Sequence, residues 1–377
     1  MPFEPEASNT GPLPCSAVLT HHWLVRRRGG EKVLEALGEL LPDSPIYALV
    51  HDAEAMAETP LGGRTVHTSL LQKIPGARRH YPKLLPLMPM AARAVRLPPV
   101  DLVLCSDAAL AKAMTPHRRS KVVCYCHSPM RYAWDLRRTY QQDVPWALRP
   151  FWRPLCQALQ HADRRAARRV DLFVANSRHV GQRIAEHYRA DSVVVHPPVE
   201  LPPGPSVAPR EDFYLCVGYH TAYKRLDLAV EACRLLRRRL VVIGNGPETE
   251  RVDPRRDRHV ELLGWQPAEV LTYYLRRARA LLFPGEEDFG IVPVEAIAYG
   301  CPVIAYGVGG VEDTVIHGKT GVLFERQTAA CLSEAIKFLD WGDFDPEAMY
   351  RHAQQFSKER FLANMRAVLM GVLDRGR

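Results

Sequence analysis

Short runs of β-branched and other apolar residues alternate with helical stretches along nearly the whole chain, and no other feature limits its fold as strongly. In the first half the runs fall at 16–19, 46–50, 102–106, 122–126, 172–175 and 193–195. In the second half they fall at 214–217, 240–243, 260–263, 280–283 and 302–305. Helical composition fills the gaps, as at 31–41 and 225–238. Strands that alternate with helices pair in parallel and are covered on both faces. The predicted class is α/β, with doubly wound sheets whose ligands bind outside the carboxyl ends of the strands.

Six prolines and a glycine interrupt the alternation at residues 197–209, PPVELPPGPSVAP. No helix or central strand tolerates that density. Two domains are expected, 1–197 and 212–355, joined by a semi-rigid linker at 198–211. A chain of 377 residues suits two cores better than one. The tail, 356–377, is helical in composition and is a candidate to return to the first domain.

Composition narrows the function classes. With 47% hydrophobic and 24% charged residues the chain reads as a globular protein. No stretch reaches the roughly 20 apolar residues of a membrane span, and the polar, proline-rich residues 1–14 do not read as a secretion signal. Nine cysteines follow no framework, so reduced thiols in a cytoplasm are expected. Cys124, Cys126 and His127 are spaced too tightly for an ordinary metal site, and no metal is expected. The Asp343 and Asp345 pair lies late in the chain, away from any strand end that would hold a metal clamp.

The net charge of +8 is lopsided. Residues 1–200 carry 27 Lys and Arg against 18 Asp and Glu; the rest carries 23 against 24. Such a field attracts phosphates on lipid, nucleic acid or a phosphorylated substrate. No nucleic-acid recognition motif accompanies it. A peripheral stay on an anionic membrane is the expected use, with Arg164, Arg165, Arg168 and Arg169 as its contacts.

The most informative segment is 283–301, FPGEEDFGIVPVEAIAYGC. A strand runs into an acidic loop, and a helix carrying Glu295 follows. Glu287 and Glu295 face one ligand from different heights, and carboxylates accept well from neighbouring sugar hydroxyls. The amides of Phe289, Gly290 and Ile291 lie near the helix's amino end and suit hydroxyls or phosphate. Gly29 and Gly30 lie between a strand and a helix, a phosphate-binding geometry that is also an ordinary turn. Lys224 lies where the second domain's first helix begins. Gly244 and Gly246 follow a strand and suit close approach to a nucleotide.

These segments resemble the family 4 glycosyltransferases, which have the GT-B fold of two Rossmann-like domains facing across a cleft. Segment 283–301 is similar to that family's E-x7-E signature. RGGEKVLEAL from Arg28, CHSPMRYAWD from Cys126, VANSRHV from Val174, YKRLDLAVEA from Tyr223, VVIGNGPE, LLGW and PVIAYGVGG follow in the family's order. Together they look like the branch that includes O-antigen and exopolysaccharide mannosyltransferases. The resemblance implies a retaining, metal-independent hexosyltransferase. It implies a nucleotide-sugar donor, GDP- or UDP-hexose with GDP-mannose the leading choice, and a glycan or lipid-linked acceptor. No other cofactor is implied.

The resemblance also implies roles. The loop of Gly29 and Gly30 closes over the diphosphate, His127 contacts the donor sugar, and Glu287 binds its hydroxyls. Lys224 neutralises the leaving diphosphate. Trp265 edges the base pocket, where it either stacks or packs. Arg131 and Asp135 are acceptor contacts or local packing. One departure stands out. Many members place an arginine five residues before the lysine, where this chain has Tyr219. Arg225 or His220 would have to compensate. A nucleotide-sugar epimerase and a transferase-like partner that has lost catalysis are the rival readings.

Overall fold

The computed structural model describes residues 10–142, 144–206, 208–253, 255–339 and 344–375. Asp343 of the late Asp pair and Val207 of the predicted linker lie outside them. The chain divides into two compact units, residues 1–198 with 358–377, and residues 199–357.

The first unit holds a seven-stranded parallel sheet of β1 (Ala17–His21), β2 (Ile46–Ala48), β3 (Val66–Thr68), β4 (Leu102–Asp107), β5 (Lys121–Cys126), β6 (Leu172–Ala175) and β7 (Ser192–Val194), in the order β3-β2-β1-β4-β5-β6-β7. Its main helices are α1 (Gly29–Leu40), α2 (Arg149–Ala167) and α3 (Arg178–Tyr188). The second unit holds β8 (Phe213–Val217), β9 (Arg239–Ile243), β10 (Val260–Gly264), β11 (Ala280–Phe283), β12 (Val303–Tyr306) and β13 (Gly321–Phe324), in the order β10-β9-β8-β11-β12-β13. Helices α4 (Leu226–Leu236) and α5 (Ile291–Ala298) flank it. The last helix, α6 (Lys358–Asp374), belongs to the first unit. Its Phe361, Leu362, Met365 and Leu369 are buried in one cluster with Val33, Leu34 and Leu37 of α1.

Strand order reverses between β1 and β4 in one unit and between β8 and β11 in the other. At such switch points neighbouring loops splay apart and leave a crevice at the carboxyl ends of the strands. β1 and β4 are fully buried, and so is β11. Strands β3 and β13 are not among the predicted runs. β3 is a three-residue edge strand with two exposed residues, and β13 begins on a glycine. β3 has a single apolar residue, Val66, and β13 only the short run Val322, Leu323 and Phe324.

Two local readings change. Gly29 and Gly30 are the first residues of α1 itself, with Arg28 capping them, rather than a turn before it. The proline-rich 199–206 segment is anchored: Val199 N donates to Phe356 O at 2.9 Å, and Pro202 O accepts from Tyr350 Oη at 2.9 Å. Arg210 then ties the approach to β8 to three carbonyls, those of Leu275, Arg276 and Tyr299.

Candidate functional site

In the second unit the loops after β8 and β11 meet at the switch point. Residues 222–224 form one short turn, which ends on Lys224. Its ammonium lies 2.7 Å from Glu287 Oε1, on the loop after β11, and both side chains are 18% exposed. The pair frames a small cavity of about 20 Å3, bounded by His220, Leu226, Pro284 and Gly285. Gly285 is the residue that sequence reasoning missed here. A Cβ on it would stand 2.6 Å from Lys224 Cα, so glycine alone admits the lysine turn. The FPG triplet after a buried strand was the available signal.

Helix α5 starts at Ile291, with Gly290 at φ 85° as its cap. Pro293 is therefore the third residue of the helix, within its first turn. The early amides of such a helix have no partner within it and favour an anion or hydroxyl. Phe289 contributes only its backbone to this end: its ring is 3% exposed and meets Phe356 at 5.7 Å. Glu295 is half-buried at the fifth position of α5.

The glycines of the β9 loop have a structural duty of their own. A Cβ at Gly244 would lie 1.9 Å from Gly218 O, and one at Gly246 would lie 2.3 Å from His220 O. The 218–220 and 244–246 backbones are pressed together, with His220 N donating to Asn245 O at 2.9 Å. His220 is 3% exposed and pairs with the Ile243 carbonyl at 3.1 Å. Burial pushes its pKa down to about 4, so the ring is neutral near pH 7. It supplies no charge in place of the absent arginine. Arg225 is committed as well: its guanidinium grips Asp227 with two bonds of 2.9 Å and reaches Gln327 at 3.2 Å. Tyr219 is 55% exposed. Trp265, just past β10, is 75% exposed, so its ring is not buried in the core.

In the first unit, His127 follows β5 and is half-buried. Its Nε2 lies 2.8 Å from Ser106 Oγ at the end of β4. Ser106 Oγ also meets His21 Nδ1 at 3.1 Å, at the end of β1. His21 Nε2 approaches Glu31 Oε1 of α1 at 3.4 Å. This is long for a hydrogen bond but close enough for a charge to be felt. Burial disfavours the Glu31 anion, but the nearby His21 ring and the Arg28 amide, which donates to Glu31 Oε2 at 2.9 Å, outweigh it and lower its pKa. Gly30 lies over both imidazoles, with its Cβ position 3.8 Å from His127 Nε2 and from His21 Cε1. Sequence reasoning named His127 and Gly30 but missed His21, Ser106 and Glu31. His21 and Ser106 each stand at the last turn of a buried apolar strand, which was the signal.

Asp135 is held by Arg183 and by His187, the latter at 3.1 Å. Burial works against its charge, yet those partners hold its pKa at about 2. Arg131 is half-buried in the loop after β5. Of the four arginines expected at a membrane, Arg164 bonds His187 O at 3.1 Å and stacks 4.7 Å over Trp134, and Arg169 bonds Ala113 O at 2.9 Å. Only Arg165 and Arg168 of that set are exposed without such ties. Cys124 and Cys126 are buried in β5, and burial raises both thiols. Among the described residues no group of three His, Cys, Asp or Glu is arranged around a metal position. No described helix is long and apolar enough to cross a membrane.

Two family models match the chain, Glycosyltransferase Family 4 over residues 27–201 and Glycosyl transferases group 1 over residues 202–355. A D-inositol 3-phosphate glycosyltransferase of Geodermatophilus obscurus is 32% identical over 55% of this chain and 54% of its own length. The human alpha-1,3/1,6-mannosyltransferase ALG2 is 26% identical over 63% of this chain and 64% of its own length. The chain thus spans less than two thirds of these curated relatives. The solved structure of Anabaena HepE in complex with UDP-glucose superposes with a TM-score of 0.65 at 15% identity, covering 94% of this chain and 99% of that one. Two doubly wound units, and family models that between them take in nearly every motif above, place this chain among the family 4 glycosyltransferases of GT-B fold.

Proposed function

We propose that the chain is a retaining, metal-independent glycosyltransferase. In this reading it moves a hexose, mannose from GDP-mannose by preference, onto a lipid-linked or polysaccharide acceptor. The observation that carries the reading is the Lys224–Glu287 pair at the switch point of the second unit, beside the amino end of α5. A nucleoside diphosphate there gains the lysine's charge and the helix-end amides. Glu295 accepts from neighbouring hydroxyls of the donor, and exposed Trp265 offers a face to the base. His127 positions the sugar. Human ALG2, the one relative above named for mannosyl transfer, supports the choice of sugar, and the solved neighbour that holds UDP-glucose supports a nucleotide-sugar donor.

Retention by double displacement requires a carboxylate poised as a nucleophile. Glu287 is instead held by a lysine at 2.7 Å, which lowers its nucleophilic reach. We therefore assign a front-face substitution. The sugar–phosphate bond loosens toward an oxocarbenium-like state, Lys224 and the amides stabilise the departing diphosphate, and a phosphate oxygen takes the acceptor's proton. Nuclear magnetic resonance of the product's anomeric centre tests retention. A covalent glycosyl-enzyme trapped in Glu287→Gln would contradict the mechanism.

Membrane contact belongs to the same reading, on a different patch from the one expected. Trp146, Leu148 and Phe151 are 82%, 55% and 67% exposed beside Arg137, Arg138, Arg149 and Arg153. Exposed aromatics among arginines suit the interface of an anionic bilayer. The observation that favours the rival, a partner without catalysis, is the diphosphate clamp: Tyr219 is uncharged and Arg225 is occupied by Asp227. Turnover with any nucleotide-sugar rejects the rival.

A further inference from the structure

The basic excess of the first half has a concave focus that the donor site does not use. A cavity of about 580 Å3 opens between three segments of the first unit. Val25, Arg26 and Arg28 follow β1, Asp52 and Glu54 follow β2, and Gly76, Arg78, Arg79, Tyr81 and Pro82 form the third wall. That volume is ordinary for a small-molecule site.

Four guanidinium groups and two carboxylates line it. Arg78 is partly balanced by Asp52 at 3.6 Å. The guanidinium groups of Arg26, Arg28 and Arg79 have no carboxylate within ion-pair distance among the described residues. Like charges gathered around a concavity repel, and the field they focus is relieved by an anion. Guanidinium forks match phosphate oxygens two at a time, so the preferred anion is a phosphate. An apolar wall completes the cavity: Tyr81 packs on Trp23 at 4.8 Å and, with Val25 and Pro82, offers a face for a sugar ring. Within this unit Arg28 caps α1, and Gly30, two residues on, lies against His127, the residue proposed to position the sugar.

We infer that this cavity binds a phosphate group carried by the acceptor, with Arg26, Arg28 and Arg79 as its ligands. The inference rests on the glycosyltransferase reading and specifies its acceptor as a phosphorylated one. The phosphate belongs either to a soluble sugar or polyol phosphate or to the headgroup of a lipid-linked acceptor.

The test is calorimetry on the full chain with inorganic pyrophosphate, after saturation with a nucleoside diphosphate. Pyrophosphate still binds in that state, and Arg26→Gln with Arg79→Gln weakens it about tenfold or more. Arg26→Lys with Arg79→Lys keeps part of the affinity, because the charge stays and the fork is lost. Unchanged melting of the glutamine variant shows that the loss is local. Two further arms identify the source: glycerol phosphate in solution, and vesicles containing phosphatidic acid against vesicles of phosphatidylcholine. Whichever arm loses binding in the glutamine variant names the carrier. Equal pyrophosphate affinity in wild type and variant overturns the inference. So does competition by the nucleoside diphosphate, which would make the cavity part of the donor site. Failure of the donor reading shows itself separately, as absence of nucleoside diphosphate binding in the first titration.

Discussion

Lys224 and Glu287 neutralise each other in a largely buried place, so each is tied to stability as well as to chemistry. Removing one leaves the other charged and poorly solvated. Lys224→Ala is expected to cost about 1–3 kcal/mol of stability and to lower kcat by about 100-fold or more, as expected for lost charge stabilisation of a leaving group. Chemical denaturation and turnover measured on the same sample check both. His220 gives a second prediction. Its folded pKa of about 4 lies below the ordinary histidine value, so the unfolded chain binds more protons between those two values. The stability it confers is complete near pH 7 and is lost as pH falls from about 6.5 toward 4. A His220→Gln variant is expected to show a flatter dependence over that window in urea titrations. The single residues named from the sequence were those held by motifs along one stretch, such as Glu287 and Glu295. His21, Ser106 and Glu31 come from β1, β4 and α1 and meet only through the sheet order, which no local pattern carries.

At the scale of elements, the buried strands were legible because both of their faces are covered and they read as unbroken apolar runs. Edge strands β3 and β13 were not: Val66–Thr68 holds one apolar residue, and Gly321–Phe324 is a three-residue run behind a glycine. Two packing arrangements were also hidden. The β8 and β9 loops are pressed backbone to backbone, and the sequence offers only a glycine pair that also suits a nucleotide. Gly246→Ala forces a Cβ to within 2.3 Å of His220 O and is expected to destabilise the second unit by about 2–4 kcal/mol. The second arrangement is α6. Its composition is helical, and its destination is decided by Phe361, which meets Tyr125 at 5.7 Å in the first unit's core. Phe361→Ala is expected to cost about 3–5 kcal/mol by emptying that position. Hydrogen exchange should localise the loss to the first unit; protection lost only in residues 199–357 would contradict it.

At the scale of the whole molecule, the charge count forecast an anion-seeking first half, and the structure divides that charge among separate tasks. Arg164 and Arg169 are spent on packing, four arginines line a cavity, and Arg137, Arg138, Arg149 and Arg153 surround exposed aromatics. A count cannot make that division, because it depends on where the fold turns each side chain. Trp146→Ser with Phe151→Ser is therefore expected to abolish flotation with anionic vesicles, whereas neutralising Arg164 and Arg169 should chiefly lower stability. Flotation unchanged in the serine variant would remove the patch from the membrane account. The most direct test of the central claim is a thermal-shift screen of GDP-mannose, GDP-fucose, UDP-glucose, UDP-galactose, UDP-GlcNAc and dTDP-rhamnose in EDTA. A donor at about 100 times its dissociation constant adds roughly 2.7 kcal/mol to the state that binds it. The account predicts a shift with GDP-mannose that disappears in Lys224→Ala and Glu295→Ala. No shift with any donor, or a shift that appears only when Mg2+ is restored, would contradict it.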